Sequence, residues 1–317
     1  VTSDFHGNVE HMKQLQIAIE QNKPDIFVYV GDLGPMREIY DTPLKQQQYV
    51  HQKLLVPMSK LDVKYKFCMP GNTDFGWAIE QYIKEYNDPC VLKVVDVGSF
   101  QINEINMIFM SKVTYTDHCL KDRELMNKFR PLPENHPKFQ INHVFSREQF
   151  SETEEVILAS DKMKYNLKYF EVFENFQTIK EPYKQRLNQT IYDVIESMYK
   201  RGQKNIIFSH GPPRDTHADL GSIKDGIQHF GSADIRKFLE TYEVDSIFCG
   251  HIHQSVFLAN QYEDSINNCK VFSTGNTGID GPLYFLQMHC LVYDQQVCKR
   301  FSYPCERFEH FIDRVFE

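Results

Sequence analysis

The chain has 317 residues, of which 41% are hydrophobic and 25% are charged. These fractions are typical of a folded globular protein and exclude a mainly disordered one. The net charge is −8 at pH 7 and the pI is about 5.9. An acidic chain lacks the basic surface that extended nucleic-acid binding requires, so broad contact with a nucleic-acid backbone is not expected.

The cysteine pattern and the hydropathy indicate where the protein works. The eight cysteines are scattered and form no Cys-x-x-Cys pair, which indicates reduced thiols and a cytoplasmic protein. No run of about 18 apolar residues is present, so no membrane-spanning helix is expected. The chain starts without Met, and we expect the true N-terminus, with any targeting signal, to lie upstream.

The N-terminal part alternates predicted helices and strands. A helix is predicted over residues 7–21 and a buried strand over 25–30. A second helix is predicted over 43–61 and a second strand over 63–69, and short β-like runs follow, including Ile105–Met110. This alternation predicts an α/β fold with strands that end at polar loops.

Residues 113–183 differ from the rest of the chain. They are rich in Lys, Glu, Asn and Phe and contain Pro131, Pro133 and Pro137. We interpret this stretch as a partly helical, partly irregular insertion within a single domain that covers residues 1–317. Its aromatic residues are expected to form a local core, and the insertion is a candidate lid or contact surface for a protein partner.

The C-terminal part begins with the same alternation and ends in β structure. Helices are predicted over residues 183–200 and, after the N-cap Ser232, up to residue 242. Strands are predicted over residues 205–208, 245–249, 255–259, 270–274, 283–289 and 297–303.

Five short blocks of metal-ligand chemistry recur along the chain, most of them at the end of a predicted strand. Together they supply two Asp, one Asn and four His, which can hold two metal ions with one carboxylate shared between them. Open α/β sheets bind substrates at the carboxyl ends of their strands, so metal-assisted cleavage of a phosphate ester is indicated. The blocks are Asp4-Phe5-His6-Gly7-Asn8, Gly31-Asp32, Gly71-Asn72-Thr73-Asp74, Ser209-His210-Gly211 and Gly250-His251-Ile252-His253.

The spacing within the blocks suggests how they reach the metals. In an extended segment Asp4 and His6 would face the same side, so both could bind one ion. A bend at His251 and His253 could send these two side chains to adjacent ions. The amide oxygen of Asn72 is a hard ligand suited to Mn, Fe, Zn or Mg. Asp74 is expected to orient the loop rather than to bind metal.

In this order, the blocks resemble the calcineurin-like metallophosphoesterase superfamily, whose pattern is D-x-H, G-D, G-N-[HX]-[DE], a lone H and G-H-x-H. The resemblance implies a four-layer αββα sandwich and a phosphoesterase that acts on small phosphate esters through a metal-activated hydroxide. It implies a first metal held by Asp4, His6, Asp32 and His253. It implies a second metal held by Asp32, Asn72, His210 and His251, the four residues expected to carry the catalytic chemistry.

A closer resemblance links the chain to the Icc-related branch of this superfamily. It rests on Ser209-His210-Gly211-Pro212-Pro213, on His229-Phe230-Gly231-Ser232 before a helix, and on Cys249-Gly250-His251-Ile252-His253. Protein Ser/Thr phosphatases carry G-D-x-x-D-R-G, which is not found after Asp32. Purple acid phosphatases place a Tyr ligand where this chain has Pro35.

Thr73 departs from the pattern, because many relatives have His at this position. That His can help protonate the leaving group, which Thr cannot do at neutral pH. We therefore expect good leaving groups to be cleaved and poor alkoxide leaving groups to react slowly. His217 is a candidate substitute acid, although an exposed loop histidine is the favoured interpretation. Arg214 is a candidate phosphate ligand, although a solvated surface arginine explains it at least as well.

Two functions remain open from the sequence. The first is a binuclear metal-dependent hydrolase, with small phosphodiesters as the favoured substrates. The alternative is a catalytically weakened scaffold that keeps the fold for partner binding, which Thr73 and the insertion favour and the complete ligand set disfavours.

Overall fold

A computed structural model describes residues 1–35, 43–74, 76–114, 125, 127–129, 190–223, 226–276, 287–294 and 297–305. The helices in these ranges are α1 (Val9–Asn22), α2 (Pro43–Val50), α3 (Val56–Ser59), α4 (Gly76–Glu85), α5 (Ile191–Met198), α6 (Ala233–Thr241) and α7 (Ser255–Ala259). A π-helical turn (His51–Leu55) joins α2 to α3, and a 3₁₀ turn covers His217–Asp219. The strands are β1 (Ile26–Val30), β2 (Tyr65–Met69), β3 (Asn87–Asp88), β4 (Leu92–Val94), β5 (Val97–Ile102), β6 (Ile105–Met110), β7 (Lys204–Ser209), β8 (Leu220–Ile223), β9 (Gly226–His229), β10 (Ser246–Cys249), β11 (Glu263–Ile266), β12 (Cys269–Ser273), β13 (Gln287–Asp294) and β14 (Val297–Pro304).

Two sheets carry most of these strands. The first has the order β1-β2-β4-β3, and the second has the order β11-β12-β10-β7-β6-β5. The pairs β1–β2, β6–β7, β7–β10 and β10–β12 are parallel. The carboxyl ends of parallel neighbours lie at one edge of a sheet, so the loops after these strands are brought together there.

The space between the two sheets is filled by an apolar core. The first sheet contributes Val28, Val30, Phe67 and Met69 to it. The second sheet contributes a row of phenylalanines from four neighbouring strands, with successive ring centroids 5.2–5.5 Å apart, from Phe109 through Phe208 and Phe248 to Phe272. These rings are register partners across the parallel strands, so their stacking fixes the alignment of the strands whose ends carry the site.

Helices cover the outer face of each sheet. Alternate residues of β1, such as Phe27 and Tyr29, face outward into a cluster with α1, α3 and α4. On the second sheet, Ile108 and Ile207 face outward into a cluster with α5 and α6. Two sheets packed face to face and covered by helices on both outer sides form the four-layer αββα sandwich, so the predicted fold class is confirmed.

The start of the chain adds a short strand beside the first sheet. Thr2 pairs with Tyr29 of β1, and Val1 exchanges hydrogen bonds with Leu291 of β13. The β13–β14 hairpin therefore joins the first sheet through Val1 and Thr2. This pairing places Asp4 directly beyond the carboxyl end of β1.

Most predicted elements are found with small shifts of their ends, but one prediction is wrong. Residues 255–259, predicted as a strand, form the short helix α7, which ends at Asn260 with φ 52°. The apolar run of this segment favours a strand, yet five residues are too few for periodicity to decide between helix and strand. The left-handed Asn260 closes the helical turn by donating its N–H to the Phe257 carbonyl.

The predicted insertion falls almost entirely outside the described residues, as do residues 183–189 of the predicted helix and residues 283–286 of the predicted strand. Of residues 113–183, the structure describes 113, 114, 125 and 127–129. Leu125 is buried in the outer cluster of the second sheet, and the ring of Phe129 meets Tyr192 edge-on at 5.1 Å. The extent of the insertion and its lid or partner role stay predictions.

None of the helices within the described ranges is both long and apolar enough to cross a membrane.

Candidate metal centre

The five ligand blocks meet at one edge of the sandwich. Asp32 and Asn72 follow β1 and β2 of the first sheet, and His210 and His251 follow β7 and β10 of the second. The backbone N–H of His210 donates to Met110 O at 2.9 Å, and that of Gly250 donates to His210 O at 3.2 Å. The loops are therefore held by the same parallel pairing that orders the sheets.

The first group of candidate ligands comprises Asp4, His6, Asp32 and His253. Their ligand atoms all lie within 4.8 Å of one another. The Nε2 atoms of His6 and His253 are 2.9 Å apart. His6 Nε2 lies 3.6 Å from Asp32 Oδ2, and His253 Nε2 lies 3.6 Å from Asp4 Oδ1. Two imidazoles and two carboxylates thus converge on one point.

The second group comprises Asp32, His210 and His251, whose ligand atoms also lie within 4.8 Å of one another. His210 Nε2 is 3.3 Å from Asp32 Oδ1 and 3.0 Å from Asn72 Oδ1. The amide oxygen of Asn72 therefore joins this group. Asp32 belongs to both groups and presents one carboxylate oxygen to each, Oδ2 to His6 and Oδ1 to His210.

The chemistry of these atoms fits a cation. His210 Nδ1 donates to Val30 O at 3.0 Å, which in the neutral imidazole leaves a lone pair on Nε2. That lone pair would face the oxygen atoms of Asp32 and Asn72, so these three acceptor atoms would meet with no donor hydrogen between them. A divalent metal ion or a proton on His210 removes this repulsion.

In the protein without metal, a proton on His210 removes this repulsion. Burial is the largest single influence on the pKa of His210 and would lower it, but attraction and hydrogen bonding to Asp32, together with Asp4 and the Val30 carbonyl, outweigh burial and raise that pKa to about 9. For Asp32, burial opposes ionisation, yet the surrounding imidazoles, with His210 foremost, hold its pKa well below the ordinary value. The site is thus built around a negative carboxylate that requires positive charge beside it.

The backbone of four candidate ligands is strained. Asp4, His6, Asp32 and His251 have φ values of 55°, 45°, 56° and 67°, in the left-handed region that non-glycine residues rarely occupy. The expectation that Asp4 and His6 share one face of an extended segment is therefore wrong. Both side chains still reach the first group of ligand atoms. The backbone N–H groups of Asp4 and His6 donate to Gly31 O at 2.9 Å and to Asp32 O at 3.2 Å, and these hydrogen bonds fix the loop.

A chain of hydroxyl groups supports Asp4 from behind. Ser3 Oγ donates to Asp4 Oδ2, and Thr274 Oγ1 lies 2.5 Å from Ser3 Oγ. The backbone N–H of His251 also donates to Asp4 Oδ1, at 3.1 Å. These contacts leave Asp4 one orientation and tie the loop after β12 to the site. Neither Ser3 nor Thr274 is predicted from the sequence, because no local pattern marks their contact.

Asp74 lies behind the loops of the first sheet. Its carboxylate accepts hydrogen bonds from the N–H groups of Leu33 at 3.0 Å, Gly34 at 2.7 Å and Gly71 at 2.7 Å. It therefore ties the loop after β1 to the loop after β2. This agrees with the prediction that Asp74 orients the loop.

Gly71 is required by the close approach of the two loops. A Cβ atom at this position would lie 2.7 Å from His210 Nε2 and would also overlap the Asp32 carboxylate. Only a residue without a side chain lets Asp32 and His210 face each other here.

An open cavity of about 210 Å³ lies over the two groups. Its floor includes His6, Asp32, Asn72 and Thr73, and its walls come from the β8–β9 hairpin and the loop after β10. Thr73 donates its N–H and its hydroxyl to Asp32 Oδ1, at 3.0 and 2.9 Å. The wall residues are Gly221, Ser222, Phe230, His251, Ile252, His253 and Gln254.

Arg214 and His217, the two candidate substrate ligands, are not among the described residues that line this cavity. Arg214 Nε lies 3.7 Å from Asp215 Oδ1. His217 Nδ1 lies 3.6 Å from Asp264 Oδ2, and its backbone N–H donates to the same oxygen at 2.8 Å. Both side chains thus have neighbours outside the cavity, and their substrate roles stay predictions.

The family model for calcineurin-like phosphoesterases matches residues 1–255, a span that contains every candidate ligand. The chain belongs to the calcineurin-like phosphoesterase family. Among curated proteins, it is 36% identical over 69 residues to the uncharacterized protein MJ1162 of Methanocaldococcus jannaschii. That match covers 21% of this chain and 31% of the relative, so the chain spans about a third of the relative it matches.

Solved structures resemble this chain at low sequence identity. One crystal structure superposes with a TM-score of 0.53 at 13% identity, covering 96% of this chain and 97% of the other. The protein TT1561 of Thermus thermophilus gives a TM-score of 0.48 at 9% identity, covering 95% of this chain and 96% of the other. At such identities the first likeness shows the shared fold, and the family assignment rests on the family model.

Proposed function

We propose that this calcineurin-like phosphoesterase hydrolyses small phosphate esters, in particular small phosphodiesters, at a centre of two divalent metal ions. The observation that carries the proposal is the position of Asp32, whose two carboxylate oxygens face two separate groups of ligand atoms. A shared carboxylate lowers the repulsion between two cations, and neighbouring cations suit phosphoryl chemistry.

Each group would hold one ion. Asp4, His6, Asp32 and His253 are the proposed ligands of the first. For the second they are Asp32, Asn72, His210 and His251. When bound, such ions would neutralise the phosphate oxygens and acidify a water molecule that serves as nucleophile.

The residues of the chain contribute orientation. The Val30 carbonyl holds the His210 ring so that its Nε2 atom faces the centre, and Ser3 with the His251 N–H fixes the Asp4 carboxylate. Thr73 steadies Asp32 by two hydrogen bonds. These contacts keep the ligand atoms in place before a substrate enters.

The kind of leaving group that the site can release limits the class of substrates. The described residues that line the cavity include no Asp, Glu, Lys, Tyr or Cys apart from Asp32, and each lining His is a proposed ligand. Thr73 stands where many relatives have a His, and its hydroxyl is directed to Asp32. We therefore infer that favoured substrates have leaving groups that depart without protonation, such as aryl oxides or phosphates.

Mixed nitrogen and oxygen ligands fit Mn, Fe, Zn or Mg, with manganese among the proposed metals. The seven cysteines in the described part of the chain are all free thiols, which supports a cytoplasmic location as part of the proposal. Contact with an extended nucleic acid is not part of it, because the chain is acidic.

The proposal is tested by hydrolysis of bis-p-nitrophenyl phosphate, with bound metal measured on the same samples. Asp32→Asn should lose metal and turnover together, since it removes the charge that both groups share. Asp62→Asn is the matched control, because Asp62 is exposed and outside the cavity. Turnover by Asp32→Asn at normal metal content would overturn the mechanism. Two bound ions without turnover in the wild type would instead favour the scaffold function.

A further inference from the structure

The cavity over the candidate metal centre has one wall that the proposed chemistry does not use. Phe230 follows β9, is half-buried and lines the same cavity as Asp32, His251 and His253. Among the described lining residues it carries the one hydrocarbon aromatic ring. An aromatic face beside a phosphate site can bind a flat group of the substrate.

The position of the Phe230 ring is set by Gly221 on the facing strand. A Cβ atom at Gly221 would lie 2.8 Å from two carbon atoms of the ring, so only glycine leaves room for it. The same Cβ would lie 3.7 Å from Cγ2 of Ile252, which also lines the cavity. Phe230 and Ile252 thus form an apolar wall beside a polar floor.

The hairpin that carries this wall is fixed at its base. The buried carboxylate of Asp219 accepts hydrogen bonds from the N–H groups of Thr216 at 2.9 Å and Gly231 at 2.9 Å, and from His229 Nδ1 at 2.6 Å. The Phe230 N–H donates to the Asp219 carbonyl at 3.0 Å. These hydrogen bonds fix the backbone on both sides of Phe230. Less conformational entropy is therefore lost when a ligand binds against its ring.

The hairpin is also tied to the loop of candidate ligands. The Ser222 N–H donates to Gln254 Oε1 at 2.8 Å, and Gln254 follows His253 directly. This hydrogen bond therefore holds the apolar wall at a fixed distance from the loop that carries His251 and His253. A fixed distance between an aromatic face and a phosphate site suits a substrate in which a planar ring lies close to the phosphorus.

We propose that Phe230 binds a planar aromatic group of the substrate, so that the site favours aryl or heteroaryl phosphate esters over alkyl ones. This inference rests on the proposed function, because it places the phosphate at the metal centre. Stacking on one aromatic side chain should tighten binding roughly tenfold.

The test uses three unreactive phosphonates and manganese-loaded protein, with dissociation constants measured by calorimetry. Phenylphosphonate should bind roughly tenfold more tightly than methylphosphonate. Cyclohexylphosphonate has a similar apolar area without a planar face, so it should show less of this gain. Phe230→Leu should abolish the advantage of the phenyl compound and leave methylphosphonate binding unchanged.

Two further variants protect the test against misfolding of the first. Phe230→Trp should keep the preference for phenylphosphonate, since it retains a planar face. Gly221→Ala should lose that preference, because its methyl group displaces the ring. Phe257→Leu is the matched control, since Phe257 is 64% exposed and does not line the cavity.

The outcomes separate this inference from the proposed function. Equal effects of Phe230→Leu on the phenyl and methyl compounds, or none on either, would overturn the role of Phe230 while the metal site stands. Equal binding of phenyl- and cyclohexylphosphonate would overturn stacking. If none of the three phosphonates binds the metal-loaded wild type, the proposed function fails and this inference fails with it.

Discussion

Thr73 Oγ1 lies 2.9 Å from Asp32 Oδ1 and donates its proton to that carboxylate. The Thr73 N–H donates to the same oxygen at 3.0 Å, so both hydrogen-bond donors of this residue serve Asp32. A hydroxyl bound in this way steadies the carboxylate and is not placed to protonate a leaving group.

The first prediction concerns the leaving group. We expect kcat/KM to fall steeply as the pKa of the leaving alcohol rises, because a poor leaving group would depart unprotonated. A series of aryl and alkyl phosphodiesters measures this slope. Thr73→His should flatten it by restoring an acid, whereas Thr73→Ser should keep it. Equal rates for p-nitrophenyl and alkyl leaving groups in the wild type would contradict this account.

The second prediction concerns the hydroxyl group behind Asp4. Ser3→Ala removes a hydrogen bond to Asp4 and should weaken metal binding at the first group by about 10- to 100-fold. Competition with a chelator gives the affinity, and circular dichroism checks the fold. Ser197→Ala is a matched control, because Ser197 is an exposed residue of α5 whose hydroxyl donates to Val194 O. Equal metal affinities of the two variants would refute the role of Ser3.

Most of the candidate ligand blocks could be located in the sequence because they are local patterns at strand ends. Asp32 after β1 and His210 at the end of β7 required only a buried run closed by a polar residue. The left-handed conformation of Asp4 and His6 could not be predicted from the sequence, because it depends on hydrogen bonds to the distant residues Gly31 and Asp32.

The wall of the cavity was missed for a different reason. In the sequence, His229-Phe230-Gly231-Ser232 signals only a family resemblance, and β8 and β9 are strands of four residues each. The dipeptide Asp225-Gly226 is a typical hairpin signal and could have revealed them. That Phe230 faces the ligands is a matter of packing over Gly221, which no local pattern encodes.

The third prediction concerns protons released when metal binds. Burial lowers the His210 pKa, but Asp32, Asp4 and the Val30 carbonyl together outweigh burial and raise it to about 9, so this imidazole holds a proton at neutral pH without metal. Metal must displace that proton, so affinity should rise with pH up to about that value. Calorimetry at pH 7.5 in buffers of different ionisation enthalpy counts the protons released. His210→Gln should release about one fewer, and an unchanged count would contradict the assignment.

The fourth prediction concerns acid stability. His11 is fully buried and neither ring nitrogen has a hydrogen-bond partner among the described residues, so burial, aided by His6, lowers its pKa to about 3. The unfolded chain takes up a proton on His11 below its ordinary pKa of 6.5, and the folded protein does not. His11 therefore leaves stability unchanged above that pH and reduces it as pH falls towards 3, by about 1.4 kcal/mol per pH unit.

His11→Leu tests this effect, because leucine cannot take up a proton. Urea unfolding of the metal-free protein between pH 7 and pH 5 should show a shallower loss of stability in the variant than in the wild type. Comparing the two proteins cancels the contributions of the metal-ligand histidines. Identical pH slopes would show that His11 is protonated in the folded state.

Anomalous diffraction from crystals loaded with manganese would show directly whether Asp32 is shared between two metal ions. We expect two peaks, one beside His6 and His253 and the other beside His210 and His251, with the Asp32 carboxylate between them. A single peak, or two peaks that both lie away from Asp32, would contradict this expectation.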